Sequence, residues 1–196
     1  MKSKISPMWL APLLAGLAFA CQSDNTSSVS SAAPDSDGHK AITTEVLEPY
    51  SCGSIARMHT FGGVFLASQP TADDLSQAKM GGVKTVVNMR HEKELKFDEA
   101  AHVASLELNY LNPAWNGPDE LTDTMFDEYR EVLRTAPRPM LLHCGSANRV
   151  GAVWLPYRVL DDGLTVEAAL AEAKTVGMRS PDYERKALDY IRRMQR

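Results

Sequence analysis

Cysteine is scarce in this chain, with three among 196 residues. Positive charge is short as well: 21 Lys and Arg stand against 25 Asp and Glu, a net charge of −4. An acidic balance gives no support to nucleic-acid binding. The five histidines have no spacing suited to a metal, and no metal or other cofactor is implied. No segment repeats. The apolar run Ile5 to Ala20 is too short, and wrongly flanked, for a spanning helix. What remains is an ordinary globular composition, 44% hydrophobic and 23% charged, at a length that suits one domain with appendages.

The first appendage reads as an export signal. Lys2 and Lys4 precede the apolar run, and Ala18-Phe19-Ala20 is a small-residue cleavage site over residues 1–20. Cys21 follows at once, so Leu17 to Cys21 looks like a bacterial lipobox with its leucine one place early. The expectation is a chain exported to the periplasm and lipid-anchored to an envelope membrane through Cys21. Loss of the leader removes two lysines and makes the chain more acidic. Residues 21–48 are rich in Ser, Thr, Asp and Ala, cannot bury a core, and read as a tether. Export leaves Cys52 and Cys144 in an oxidising compartment. Nothing in the sequence brings these two together, so Cys52 reads as a packed or free thiol.

Residues 49–196 read as one domain. Val64–Ala67, Val83–Met89, Leu108–Leu111 and Met140–His143 have the β-branched or apolar character of short strands. Helices are expected over Ala72–Met80 behind a Thr71/Asp74 capping pair, over Glu94 to about Leu106, and over Pro118–Thr135. Three more follow: Arg149–Leu160 with Pro156 inside it, Val166–Val176 behind Thr165, and a last one behind Ser180-Pro181. Alternation of this kind means an α/β fold, a single domain whose central sheet of about four to five mostly parallel strands is flanked by helices.

The chemistry concentrates in His143 to Ala152, HCGSANRVGA. Cys144 sits at a strand's carboxyl end and Arg149 where a helix begins. Backbone N–H groups at a helix start favour an anion or a thiolate, which lowers a cysteine's pKa and makes it a nucleophile. Arg149 adds a planar fork that matches phosphate oxygens. Gly145, Ser146, Ala147 and Asn148 form the loop between them.

Three stretches carry a family likeness: Leu66-Ala67-Ser68-Gln69-Pro70, then Gly82 to Arg90, then His143 to Ala152. Over Val64 to Gly177 the chain resembles the bacterial cysteine-based, dual-specificity-like phosphatases of the protein tyrosine phosphatase superfamily. More narrowly, it resembles the phosphatase-like domains sometimes fused to NAD kinase. The resemblance implies a phosphatase that acts on a phosphorylated substrate, with Cys144 as nucleophile, Arg149 as phosphate clamp and an upstream aspartate as general acid. Asp119 lies where that acid is expected, with Glu120 and Asp123 as alternatives. As a structural residue Asp119 would instead be a carboxylate at a helix start. His143 is expected to orient the loop, while His91 and His102 read as surface residues.

The pattern also departs from the superfamily. Four residues separate Cys144 from Arg149 where five are usual, which is the loop length of the rhodanese sulfurtransferases. Ala147 replaces a common glycine where positive φ is expected. Val150 replaces the usual Ser or Thr. Sulfur transfer through a Cys144 persulfide, and a catalytically weak anion-binding module, therefore stand as alternatives.

Overall fold

A computed structural model describes residues 44–196. The expected leader, Cys21 and most of the expected tether lie outside the described residues. The tether's last residues are tied to the sheet. Thr44 Oγ1 donates to the Thr60 carbonyl at 3.2 Å, and the Thr44 carbonyl accepts from Gly62 N–H at 2.8 Å.

The sheet has six strands: β1 (Glu48–Pro49), β2 (Met58–Phe61), β3 (Val64–Ala67), β4 (Thr85–Asn88), β5 (Asn109–Leu111) and β6 (Met140–His143). Their order is β1-β2-β3-β6-β4-β5. The four strands β3, β6, β4 and β5 run parallel, as expected, and β1 and β2 add an antiparallel hairpin edge. That edge is the difference from the sequence expectation. β1 is two residues long, and the MHTF of β2 buries only alternate positions, so neither is a continuous apolar run.

Every residue of β3, β4 and β6 is buried, because helices cover both faces of this parallel core. Alternate residues serve opposite faces. Val64, Leu66, Val87, Met140 and Leu142 join one apolar cluster, while Phe65, Ala67, Val86 and Leu141 join the other.

Helix α1 (Ala72–Met80) starts in the expected capping box of Thr71 and Asp74. The helix expected from Glu94 begins later. A 3-10 turn covers Glu92–Glu94, the chain then extends at Leu95, and α2 spans Glu99–Ser105 with Asp98 as its cap. Helix α3 (Asp123–Thr135) is capped by Thr122, so Asp119 stands outside it, on the preceding turn. Helices α4 (Asn148–Leu160), α5 (Val166–Val176) and α6 (Pro181–Met194) follow as expected.

Helix α4 is apolar on nearly all sides and is buried from Arg149 to Val159. It lies between the sheet and helices α3, α5 and α6. Gly151 lets α5 come close: a Cβ there would stand 2.5 Å from the Ala173 carbonyl oxygen.

Candidate active site

Parallel strands put their carboxyl ends on one edge, and in open α/β sheets that edge is where sites form. Ala67, Asn88 and His143 end three neighbouring strands in register. The three sequence stretches singled out above meet there. Cys144 N–H reaches the Ala67 carbonyl at 3.4 Å, Gln69 N–H reaches the Gly145 carbonyl at 3.5 Å, and Ser68 bridges Ser146.

The loop turns directly from β6 into α4. Ala147 takes the helix N-cap position in the left-handed region, at φ 64° and ψ 3°. Cys144, Ala147 and Arg149 are buried, Ser146 and Asn148 are half-buried, and Gly145 is exposed. Cys144 is a free thiol, whereas Cys52 is disulfide-bonded. The two therefore do not pair; Cys52 is packed in the core, as expected, but as half of a disulfide and not as a thiol.

Arg149 is only 8% exposed, yet its guanidinium is well supplied with acceptors. Nη1 donates to the Met89 and Trp115 carbonyls at 3.1 and 2.6 Å and to Glu94 Oε2 at 3.0 Å. Nη2 donates to Glu94 Oε1 at 2.7 Å. Burial pulls the Arg149 pKa down, but the Glu94 hydrogen bonds and the neighbouring Cys144 and Glu94 charges outweigh it, and the net shift is upward. Burial likewise pushes Glu94 up, while Arg149, the His91 N–H and Arg90 bring it below its ordinary value. Arg149 Nε makes no hydrogen bond to any described residue, and Nη2 keeps an N–H to spare. Two donors of the fork thus remain for a ligand.

A second arginine stands beside the loop. Arg90 Nη1 donates to Gln69 Oε1 at 2.7 Å, and Nη2 donates to the Glu94 carbonyl. Its Nε makes no hydrogen bond, stands 3.7 Å from Glu94 Oε1 and lies 3.9 Å from where a Cβ on Gly145 would be. A guanidinium N–H without a hydrogen bond beside a glycine-edged loop is a donor that an anion can use.

Behind the loop lies a buried polar chain. His143 Nε2 is 2.9 Å from Glu99 Oε1, and both residues are fully buried. Gln69 Nε2 donates to Glu99 Oε2 at 2.8 Å, and Tyr110 Oη donates to Glu99 Oε1 at 3.4 Å. Burial raises the Glu99 pKa, but His143, Gln69 and Tyr110 more than reverse this and hold it below the ordinary value. An ionised carboxylate only accepts, so His143 Nε2 is the donor. The bond fixes the His143 ring on α2, while its Nδ1 is buried without a hydrogen bond.

The upstream carboxylates separate by partner. Glu120 Oε2 lies 2.7 Å from His91 Nε2 and accepts the Asn116 N–H at 2.7 Å. Asp123 forms a bidentate pair with Arg193 on the surface. Asp119 is exposed and has no hydrogen bond or ion pair among the described residues. It sits four residues after Trp115, whose carbonyl receives Arg149. His91 and His102, read as surface residues, are in fact half-buried: His91 meets Glu120, and His102 Nε2 lies 2.9 Å from the Ala72 carbonyl.

No family model and no curated protein matches the chain. Solved structures do. Tk-PTP in its active form aligns at a TM-score of 0.56 and 17% identity, over 67% of this chain and 93% of that one. TpbA of P. aeruginosa, in complex with pTyr, aligns at 0.56 and 23%, over 69% and 82%. A DUF442 protein of Shewanella putrefaciens aligns at 0.61 and 14%, over 71% and 94%. The fold is that of the cysteine-based phosphatases. The six-stranded sheet and its helices thus correspond to the architecture the resemblance implied.

Glu94, Arg90, Gln69 and Glu99 are the site residues that sequence reasoning missed. Gln69 and Arg90 fell inside stretches already singled out. Glu94 and Glu99 carried no signal of their own. Among the described residues no group of His, Cys, Asp and Glu could hold a metal ion, and no helix is long and apolar enough to cross a membrane.

Proposed function

We propose that this protein is a phosphoric monoester hydrolase working through a cysteinyl-phosphate intermediate. The observation that carries this reading is the Arg149 fork, fixed by Glu94 and two carbonyls at the start of α4, five residues after the free thiol of Cys144. Fixed donors aimed at an anion need no reorganisation during reaction.

In this mechanism Cys144 Sγ attacks phosphorus in line, and the S–P bond forms as the ester P–O bond breaks. Arg149 and the loop N–H groups of Gly145, Ser146, Ala147 and Asn148 hold the equatorial oxygens. Asp119 protonates the leaving oxygen and then takes a proton from the water that cleaves the S–P bond, releasing phosphate and the thiolate. Asp119 is favoured because Glu120 and Asp123 are already engaged. Val150 offers no hydroxyl to help the thiolate leave, so S–P hydrolysis is expected to limit turnover.

The deciding experiment follows hydrolysis of an aryl phosphate by the wild-type chain and by Cys144→Ser, beside thiosulfate–cyanide turnover. Phosphatase activity lost in Cys144→Ser supports the reading. Sulfur transfer without phosphatase activity would replace it with the persulfide mechanism that the four-residue loop also suits. Phosphate binding without either activity would leave an anion-binding module.

A further inference from the structure

Most arginines of this acidic chain are paired with carboxylates. Arg130 and Arg134 meet Asp161, Arg158 meets Glu172, and Arg193 meets Asp123. Arg57 and Arg179 are exposed and make no ion pair among the described residues. Both lie at the rim of the Cys144 loop.

Arg179 is fastened to it. Its backbone N–H donates to Asn148 Oδ1 at 2.8 Å, and Nη2 donates to Ser146 Oγ at 2.8 Å. Glu184, which shares a surface groove with Arg179, is already held by Lys174 at 3.3 Å. Arg57 is placed by Ser68, whose Oγ accepts the Arg57 N–H at 3.1 Å and whose N–H donates to the Arg57 carbonyl at 2.9 Å. The Arg57 stem reaches the loop across Gly177. A Cβ on Gly177 would stand 3.1 Å from both Arg57 Cδ and Ala147 Cβ, so a bare glycine keeps these groups close. Gly177 also has φ 142°, which a side chain would resist.

We propose that Arg57 and Arg179 form a second anion subsite beside the catalytic loop. The preferred ligands then carry a second phosphate near the one held by Arg149. This rests on the anion-binding reading of the loop. Ion-pairing elsewhere on the surface supports the assignment: two guanidinium groups left without carboxylates, at one end of one loop, are a charge that a ligand can satisfy. Arg is suited to this role because its fork meets phosphate oxygens in pairs. Two phosphates joined as an anhydride and two phosphate esters on a short backbone share this chemistry.

The test uses the full chain carrying Cys144→Ser, so that no ligand is consumed. Orthophosphate, inorganic pyrophosphate and ethylene glycol bisphosphate are titrated calorimetrically in metal-free buffer. At least one two-phosphate ligand should bind about tenfold or more tighter than orthophosphate, the ordinary worth of one charge-assisted hydrogen bond. Which one gains identifies the anhydride or the bis-monoester arrangement. Adding Arg57→Gln and Arg179→Gln should erase the preference and leave orthophosphate affinity within about threefold. Equal affinity for all three ligands, or a preference that survives both substitutions, overturns the subsite while leaving the phosphatase reading intact. Failure of every ligand to bind overturns the loop reading and the subsite with it.

Discussion

Glu94 grips both terminal nitrogens of Arg149, with Oε1 at 2.7 Å from Nη2 and Oε2 at 3.0 Å from Nη1. The arginine is therefore a structural anchor and a ligand donor at once. Glu94→Gln should cost about 2 kcal/mol, the scale of charged hydrogen bonds, which is roughly 4–8 °C in Tm for a domain of this size. Arg149→Lys keeps a charge but loses the fork, so it should lower both Tm and the rate per folded molecule, the latter by about tenfold or more. Melting curves and active-site-normalised rates on both variants check this. An Arg149→Lys enzyme of wild-type rate per folded molecule would remove the clamp from the mechanism.

Asp119 and Glu120 adjoin in sequence but differ in partners, which makes a matched pair of variants informative. An acid that protonates the leaving oxygen matters most when that oxygen is a poor leaving group. Asp119→Asn should therefore slow an alkyl phosphate by about 100-fold or more and a nitrophenyl phosphate far less. Glu120→Gln should show no such leaving-group dependence, since its carboxylate is spent on His91 and Asn116 N–H. Steady-state kinetics on two substrates of different leaving-group pKa separates them. A uniform loss in Asp119→Asn assigns it a structural part only.

Ala147 holds φ 64° without being glycine. The left-handed region costs an L-residue about 1–2 kcal/mol, against the roughly 0.5–1 kcal/mol of backbone entropy that a glycine adds. Ala147→Gly should therefore leave Tm unchanged or raise it, by up to about 1 kcal/mol of stability. Thermal denaturation decides it, and a clear drop would mean that the Ala147 methyl packs well enough to outweigh the strain.

Much of this is legible in the amino-acid sequence. Strand β3 and helices α1 and α5 fall where apolar runs and capping residues place them, because their local signals agree with their tertiary setting. The loop was legible because strand, small residues, arginine and helix follow one another in sequence. The segment after β4 was not. Its run His91-Glu92-Lys93-Glu94 has the character of a solvated face, and Leu95 and Phe97 lie two apart, which is no helical spacing. The structure instead turns Glu94 inward to Arg149, a contact across 55 residues that no local pattern encodes. The buried Glu99 was hidden for the same reason: its partners come from β6, from the segment after β3 and from β5.

The export reading can be checked against the cysteine chemistry. Cys21 lies outside the described residues, and lipidation there is a property of the mature chain that its mass reports directly. The full-length protein, made in a Gram-negative host, should be cleaved before Cys21 and recovered with the membranes. Intact-mass analysis should then show a lipid on Cys21. Protein in the cytoplasm with Met1 intact would sink the export idea.

Acid stability should report the Glu99–His143 pair beneath the loop. The Glu99 pKa lies below 4.5 in the folded protein: burial raises it, and hydrogen bonds and charge from His143 then pull it lower. An unfolded glutamate titrates near its ordinary value, about 4.3. A carboxyl with a depressed folded pKa contributes stability that is fully present above the unfolded value and is lost as pH falls through the folded one. Glu94 is depressed too, so wild-type stability should decline from about pH 4.5 downward with both groups contributing. Glu99→Gln keeps the shape but removes the charge that faces His143, and breaking a buried pair from one side costs on the order of 3 kcal/mol. Near pH 7 the variant should therefore be clearly less stable than wild type. As pH falls below 4.5 the two curves should converge, because the proton that wild type must accept there has no counterpart in the glutamine. Urea denaturation at pH 7, 5 and 3.5 on both proteins measures this directly: a constant gap would show that folding does not shift the Glu99 pKa, and a wild type that loses ground to the variant as pH rises would show a carboxyl held neutral in the fold.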